Sequence, residues 1–256
     1  MKPLYLLAWT IFLISGCDMP QDPGPMPSEI VATEFEPGLN ILGVLRADNQ
    51  QGSSFINVNR ALTTEEIYSD SIINFSPALD FVRVSASSTG TDYVFLPAGD
   101  SSNVENYQDT SLTVQVGEAY SLEISAPDFP VLSAYTQVPE QPQLVANTLS
   151  VAAGSISFQL QHQTSAFEYK LYLIFPDGAL KKLIKPTDQD IIAVDWDYEV
   201  TKGDPRSLML CALDENLTRY ENSPISFLPN TYHPDGSTVT GGYGCFGSVS
   251  ITTYEL

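Results

Sequence analysis

The sequence predicts an all-β protein built as two tandem antiparallel β-sandwiches with few short helices. Three observations predict it. Apolar residues recur with a period of two along most of the chain, as strands with one buried face require. The runs are short and are separated by turn-forming Gly, Pro, Asn and Asp. Helical spacing is confined to two brief stretches. A series of such half-apolar strands must close its faces against one another, and the antiparallel sandwich is the usual solution.

In the first half the strands fall at Leu39–Leu45, Ser54–Val58, Phe81–Ala86 and Tyr93–Leu96. Leu112, Val114 and Val116 then alternate with Thr113 and Gln115. Gly117-Glu118 breaks the run, and Tyr120, Leu122, Ile124 and Ala126 alternate with Ser121, Glu123 and Ser125. This spacing predicts a strand, a tight connection and a second strand, with Leu132–Val138 to follow. About seven strands in roughly a hundred residues is the density of a sandwich. The first helical stretch is Thr63-Thr64-Glu65-Glu66-Ile67-Tyr68, where Thr63 and Glu66 have capping-box spacing.

Two prolines in Val138-Pro139-Glu140-Gln141-Pro142 stop strand pairing, so the boundary is drawn there, giving domains at 38–139 and 140–256. Charge shifts at the same place. Residues 18–139 hold three arginines and no lysine against 17 acids, and residues 140–256 hold seven basic residues against 14 acids. Beyond it, Ile156, Phe158 and Leu160 alternate with polar neighbours. Phe167–Phe175 and Leu180–Ile184 flank the turn Pro176-Asp177-Gly178, which predicts a hairpin. Ile191–Tyr198, Arg206–Leu213 and Phe246–Tyr254 complete the strands, and Leu217–Asn222 is the second helical stretch. Gly241-Gly242-Tyr243-Gly244 lacks the lysine and helix of a phosphate loop and reads as a tight turn or bulge before the last strand.

The amino end carries an address. Residues 1–16 read as a lipoprotein signal peptide: Lys2, a short apolar run from Leu4 to Ile14, then Ile14-Ser15-Gly16-Cys17 in the pattern of a lipobox. The Cys17 thiolate is the nucleophile that takes a diacylglycerol, and two or three acyl chains suffice for stable anchoring. Residues 17–37 form an acidic tether, in which four of the ten residues from Asp18 to Pro27 are proline, so it is expected to be extended. The formal net charge is −20. Such a chain repels nucleic acid and anionic lipid heads, which excludes nucleic-acid binding. Outside the cytoplasm, Cys211 and Cys245 read more readily as a disulfide than as two thiols, a bridge worth about 3 kcal/mol. A small buried hydrophobe remains the other reading of Cys211.

In this order the pieces resemble a family of Bacteroidota-type outer-membrane lipoproteins known only as a domain of unknown function, whose members often accompany TonB-dependent receptors. The resemblance rests on the lipobox, Leu39-Asn-Ile-Leu-Gly-Val-Leu45, Phe55-Ile-Asn-Val-Asn-Arg60 and Ala78-Leu-Asp-Phe-Val-Arg-Val-Ser85. It continues through Val116-Gly-Glu-Ala-Tyr-Ser-Leu-Glu-Ile124, Thr136-Gln-Val-Pro139 and Gly241-Gly-Tyr-Gly-Cys-Phe-Gly247. The first half also looks like immunoglobulin-like and transthyretin-like or carboxypeptidase-regulatory sandwiches, through its Gly-x-x-Tyr-x-Leu. The resemblance implies an outer-membrane lipoprotein, periplasmic or surface-exposed, with an outer-membrane protein as partner. It carries over no catalytic residue.

The residues themselves offer little chemistry. Of two histidines, His162 continues the Ile156–Phe158–Leu160 strand and His233 sits in a Pro/Asn-rich loop. No Gly-x-Ser-x-Gly, paired Cys-x-x-Cys or His-x-x-x-His occurs, so neither a triad nor a zinc centre is expected. The most suggestive group is Asp195, Trp196 and Asp197, with Asp188 and Asp190 nearby. On a strand the two acids share one face, as carboxylates beside a stacking ring would in a calcium or sugar site. The plainer reading puts Trp196 in the core and the acids in water. Lys181, Lys182 and Lys185, with Lys170 across the hairpin, either meet an acidic partner or guard a strand edge. The expectation is therefore a non-enzymatic binding or accessory component, with no cofactor and an unnamed ligand. A carbohydrate-binding or carboxylate-dependent carbohydrate-active protein and an adhesin or structural surface module remain the alternatives.

Overall fold

A computed structural model describes residues 37–48, 50, 52–67, 76–99, 106–223 and 236–256. The signal segment, Cys17, the proline-rich tether up to residue 36, Tyr68 and His233 lie outside the described residues. The first half gives β1 (Leu39–Ala47), β2 (Phe55–Arg60), α1 (Thr64–Ile67), β3 (Phe81–Ala86), β4 (Asp92–Val94) and β5 (Leu96–Pro97). It continues with β6 (Asn106–Gln108), β7 (Ala119–Ser125) and β8 (Leu132–Gln137). The second half gives β9 (Gln143–Leu144), β10 (Ser150–Ala152), β11 (Ser155–Gln161), β12 (Glu168–Phe175), β13 (Gly178–Ile184) and β14 (Ile191–Asp197). β15 (Ser207–Leu213), α2 (Glu215–Asn222), β16 (Val239–Thr240) and β17 (Gly242–Glu255) complete it. The protein is all-β, with sheets packed as sandwiches.

Among the described residues the strands form three sheets. The largest runs β13-β12-β15-β17-β1-β2-β6-β5 and draws on both halves of the chain. A five-stranded sheet, β16-β8-β7-β3-β4, and a smaller one, β10-β11-β14 with β9 beside β11, complete the set. The period-two pattern decides which residues meet. Leu39, Ile41 and Leu45 of β1 and Ile56 and Val58 of β2 are fully buried against Val82, Val84, Leu122, Ile124 and Leu132 of the five-stranded sheet. In the second half, Leu171 and Leu173 of β12 and Leu208 and Leu210 of β15 bury against Ile156, Phe158, Leu160 and Val194. The large sheet thus backs two sandwiches with the same face.

The two cores divide near the prolines at 139 and 142: one gathers residues from Leu39 to Val138, the other from Ile156 to Ala212. One strand breaks this division. Phe246 of β17 is buried in the first core, and β17 lies between β15 and β1. Its pairing with β1 is parallel, from Leu39 opposite Gly242 to Ala47 opposite Ser250. A parallel pair needs a crossover between its strands, and here nearly the whole chain is that crossover. The tandem sandwiches are thereby stitched into one sheet. The glycine-rich run makes the stitch fit. Gly244 has φ 103°, and a Cβ there would stand 1.9 Å from the Ile41 carbonyl oxygen.

Each half is also pinned by a buried tyrosine. The Tyr120 hydroxyl accepts from the Gln115 N–H at 3.1 Å, and the Tyr169 hydroxyl accepts from the Gln163 N–H at 2.8 Å. Both rings sit in the core with their polar tips tied to backbone a few residues upstream, as in the tyrosine corner of immunoglobulin-like folds. Burial pushes both phenols above their ordinary value. The capping box forms as spaced: Thr63 N–H donates to Glu66 at 2.9 Å and Glu66 N–H to the Thr63 hydroxyl at 3.1 Å. Arg60 adds an ion pair at 2.7 Å and holds the Glu66 carboxyl down at about 2.

Residues Leu112–Val116 depart from expectation. Leu112 and Val114 are buried as the alternation implies, yet the segment joins no ladder. Its N–H groups are taken up by side chains instead: Leu112 N–H donates to Asp109 and Gln115 N–H to Tyr120. Alternation fixes which face is wet; it does not supply a neighbouring strand.

Candidate functional site

The opposite face of the large sheet carries the candidate site. β15 reads Ser-Leu-Met-Leu-Cys-Ala-Leu and is apolar on both sides. Leu208, Leu210 and Ala212 enter the second core, leaving Met209, Cys211 and Leu213 on the far face. Cross-strand register places Tyr172 beside Met209, Lys170 beside Cys211, Ile251 beside Cys211 and Val249 beside Leu213. β1 adds Leu42, Val44 and Arg46, and β2 adds Phe55 opposite Val44. These outward positions would be polar on a sheet facing only water. Here they floor an open groove of about 470 Å³, with Leu217, Tyr220 and Glu221 of α2 on its wall.

α2 is held over the sheet by a polar knot. Asp214 is its N-cap, accepting the Leu217 N–H at 2.8 Å. The other carboxylate oxygen accepts from the Thr136 hydroxyl, which lies 2.9 Å from the Ser248 hydroxyl. Ser248 in turn donates to the Gln137 carbonyl at 3.2 Å. Asn216 donates to the carbonyls of Tyr135 at 2.6 Å and Phe246 at 2.9 Å. Strands β8 and β17 and helix α2 thus meet through Thr136, Ser248 and Asp214, all buried. Burial pushes the Asp214 carboxyl above its ordinary value although Thr136 and Leu217 donate to it.

Two cations meet the groove. Lys170 is 9% exposed and its ammonium is engaged by Glu221. Arg46 pairs with Asp48 at 2.9 Å, while its Nε is buried with no acceptor among the described residues. The Cys211 thiol lies against this floor, pushed up to about 11 by burial, with Arg46 and Lys170 opposing the shift. A thiol held so high is a poor nucleophile at neutral pH.

The expected bridge between Cys211 and Cys245 is not formed, and both are free, buried thiols. Cys211 stands opposite Ile251, and Cys245 lies six residues before Ile251 on the same strand. That offset is roughly 20 Å along a strand, against the ~7 Å limit between the Cα atoms of a disulfide. Burial pushes Cys245 up to about 12.

The other sequence candidates fall elsewhere. Trp196 is packed in the second core, while Asp195 and Asp197 are exposed on the opposite face of β14. Lys182 lies 6.0 Å from the Trp196 ring centroid and donates to the Asp195 carbonyl at 2.5 Å. The three residues share a strand, with the ring on its buried face and the two acids on its exposed face. His162 sits at the end of β11, 3.2 Å from the Tyr169 hydroxyl. Lys181 and Lys182 lie on β13, the outermost strand of the large sheet, where charge discourages edge pairing, and Lys185 follows directly. The groove was missed in the sequence, although one signal was there. Six consecutive apolar residues, Leu208–Leu213, mark a strand covered on both faces.

Fold and groove together define an all-β sandwich protein with an open apolar trough on its shared sheet. The chain belongs to the DUF4249 family, described as a domain of unknown function, whose family model matches residues 25–179. That match stops inside β13, so β15, α2 and β17 of the groove lie beyond it. Comparison with curated proteins finds no match. Among solved structures, the chain is similar to a pullulanase complexed with maltotetraose from Anoxybacillus sp., at 12% identity and TM-score 0.23. That alignment covers 67% of this chain and 22% of the pullulanase. The chain is also similar to the FN1–FN3 domains of chicken CNTN1, at 12% identity and TM-score 0.27, covering 88% of this chain and 66% of that one. A third likeness is to a DUF3823 family protein from Parabacteroides merdae, at 8% identity and TM-score 0.25, covering 71% of this chain and 92% of that one.

Proposed function

We propose that this protein is a lipid-anchored component of the bacterial cell envelope that acts by binding rather than by catalysis, beside an outer-membrane transporter. The observation that carries the binding half is the groove: a mainly apolar trough with few charged groups, and a thiol held protonated by burial. The anchoring half draws on the lipobox at Ile14–Cys17 and the proline-rich tether. Asp195 and Asp197 are exposed on one face of β14 while Trp196 is buried on the other, so the ring does not stand beside the carboxylates as a carboxylate enzyme with a stacking platform there would need. Affinity purification of the full chain from native membranes tests the reading. A channel-forming outer-membrane protein should co-purify in stoichiometric amount. Recovery of the chain alone, with binding to foreign surfaces instead, would favour an adhesin.

A specific observation supports a second reading. Tyr135 and Phe167, 56% and 48% exposed, flank a polar cleft of about 340 Å³ that also involves Gln137, Glu215 and Asn216. Exposed rings beside amides and carboxylates suit a neutral sugar. A glycan array answered by Tyr135→Ala would move the ligand site there.

A further inference from the structure

We propose that the groove beneath α2 is a binding site for a single-chain amphiphile with one anionic head group. The alkyl tail lies along the trough between Leu42 and Val44 on one side and Tyr172 and Met209 on the other, beside Leu217. The head lies against Arg46. Several features argue for this occupant. At about 470 Å³, the trough falls within the usual range of small-molecule sites. Its floor is built mainly from Leu, Val, Phe, Met, Ile and Tyr side chains projecting from the five neighbouring strands β2, β1, β17, β15 and β12, so tail recognition is by burial.

The head-group argument is electrostatic. The chain carries −20 overall, yet the groove lining holds Arg46 and Lys170 against the single carboxylate of Glu221. Glu221 already answers Lys170, and Asp48 answers one amino group of Arg46. What is left is the Arg46 Nε, a buried donor facing no acceptor among the described residues. A buried donor without a partner is costly, and a carboxylate would satisfy it with a charge-assisted hydrogen bond. A cationic head group offers the Arg46 Nε no acceptor, and a neutral hydroxyl offers only an uncharged and weaker one.

This inference rests on the reading of the chain as a binding protein but fails separately from it. Labelling is blind to transporter partners and to the lipid on Cys17. The test is photolabelling of the full chain, in native membranes, with a diazirine-bearing dodecanoate, followed by peptide mapping. Adducts are expected on the peptides containing Leu42–Arg46, Tyr172 and Met209, displaced by dodecanoate at about tenfold lower concentration than by dodecanol. Arg46→Gln, at the groove margin where folding should survive, is expected to abolish that preference while leaving displacement by dodecanol unchanged. Absence of adducts in these strands overturns the proposal. So does equal displacement by dodecanol, which would mark a general apolar surface for protein or membrane. An unaltered preference in Arg46→Gln overturns the assignment of the head group.

Discussion

Gly244→Ala is expected to prevent the protein from reaching its folded state, or to cost at least about 4 kcal/mol if it folds. Two penalties act together. The residue has φ 103°, where a side chain is strained, and the new Cβ would sit 1.9 Å from the Ile41 carbonyl oxygen. Neither can relax alone, because β1 and β17 are paired on both sides of the contact. Gly90→Ala provides the control. It also has positive φ, at 64°, but nothing lies within 4 Å of its Cβ position, so only the conformational cost of about 1–2 kcal/mol remains. Urea denaturation of the full chain should separate the two variants clearly. Equal costs would mean that β17 is not held against β1 as described.

Asp214→Ala is expected to cost about 3 kcal/mol, the second largest effect. It removes the cap of α2, worth about 1 kcal/mol, and leaves the buried Thr136 hydroxyl without its carboxylate acceptor, worth about 1–3 kcal/mol more. Asp214→Asn keeps a cap oxygen for Leu217 and should cost far less. The pair also has a pH signature. The folded carboxyl has a raised pKa, so the native state holds its proton more firmly than the unfolded chain. This group therefore weakens the fold at neutral pH, and that deficit is relieved as pH falls through the folded value toward the unfolded one. Glu66 and Glu118 work the other way: hydrogen bonds from Arg60 and Ser88 hold their carboxyls down, so their contribution is lost on acidification. Wild type minus Asp214→Asn isolates the first effect, and the advantage of wild type over the variant should grow as pH is lowered from 7 toward 4. An advantage that shrinks on acidification would mean the carboxylate is stabilised as the anion.

Much of the fold was legible because its physics is local. Alternation located β1, β2, β3, β7, β8, β11, β12, β13, β14, β15 and β17 but not the short β9, β10 and β16, Thr63 and Glu66 located α1, and Pro176-Asp177-Gly178 located the β12–β13 hairpin. What was not legible is which strands become neighbours. Nothing local to Phe246–Tyr254 says that this strand leaves its own half to pair with Leu39–Ala47, since the partners are about two hundred residues apart. The groove depends on that pairing, because its floor combines β1 and β2 with β12, β15 and β17. The cysteines failed for the same reason. Two thiols in one chain suggest a bridge, but only strand register reveals that they are offset along the sheet. Asp195 and Asp197 share a face as a strand dictates, yet sharing a face does not enclose anything.

The proposal of a membrane-anchored binding protein is tested most directly at the Cys17 peptide. Mass spectrometry of the full chain from native membranes should find residues 1–16 removed and Cys17 carrying a thioether-linked diacylglycerol with an acylated amino group. An unmodified Cys17 thiol, or an amino end at any other residue, would contradict it.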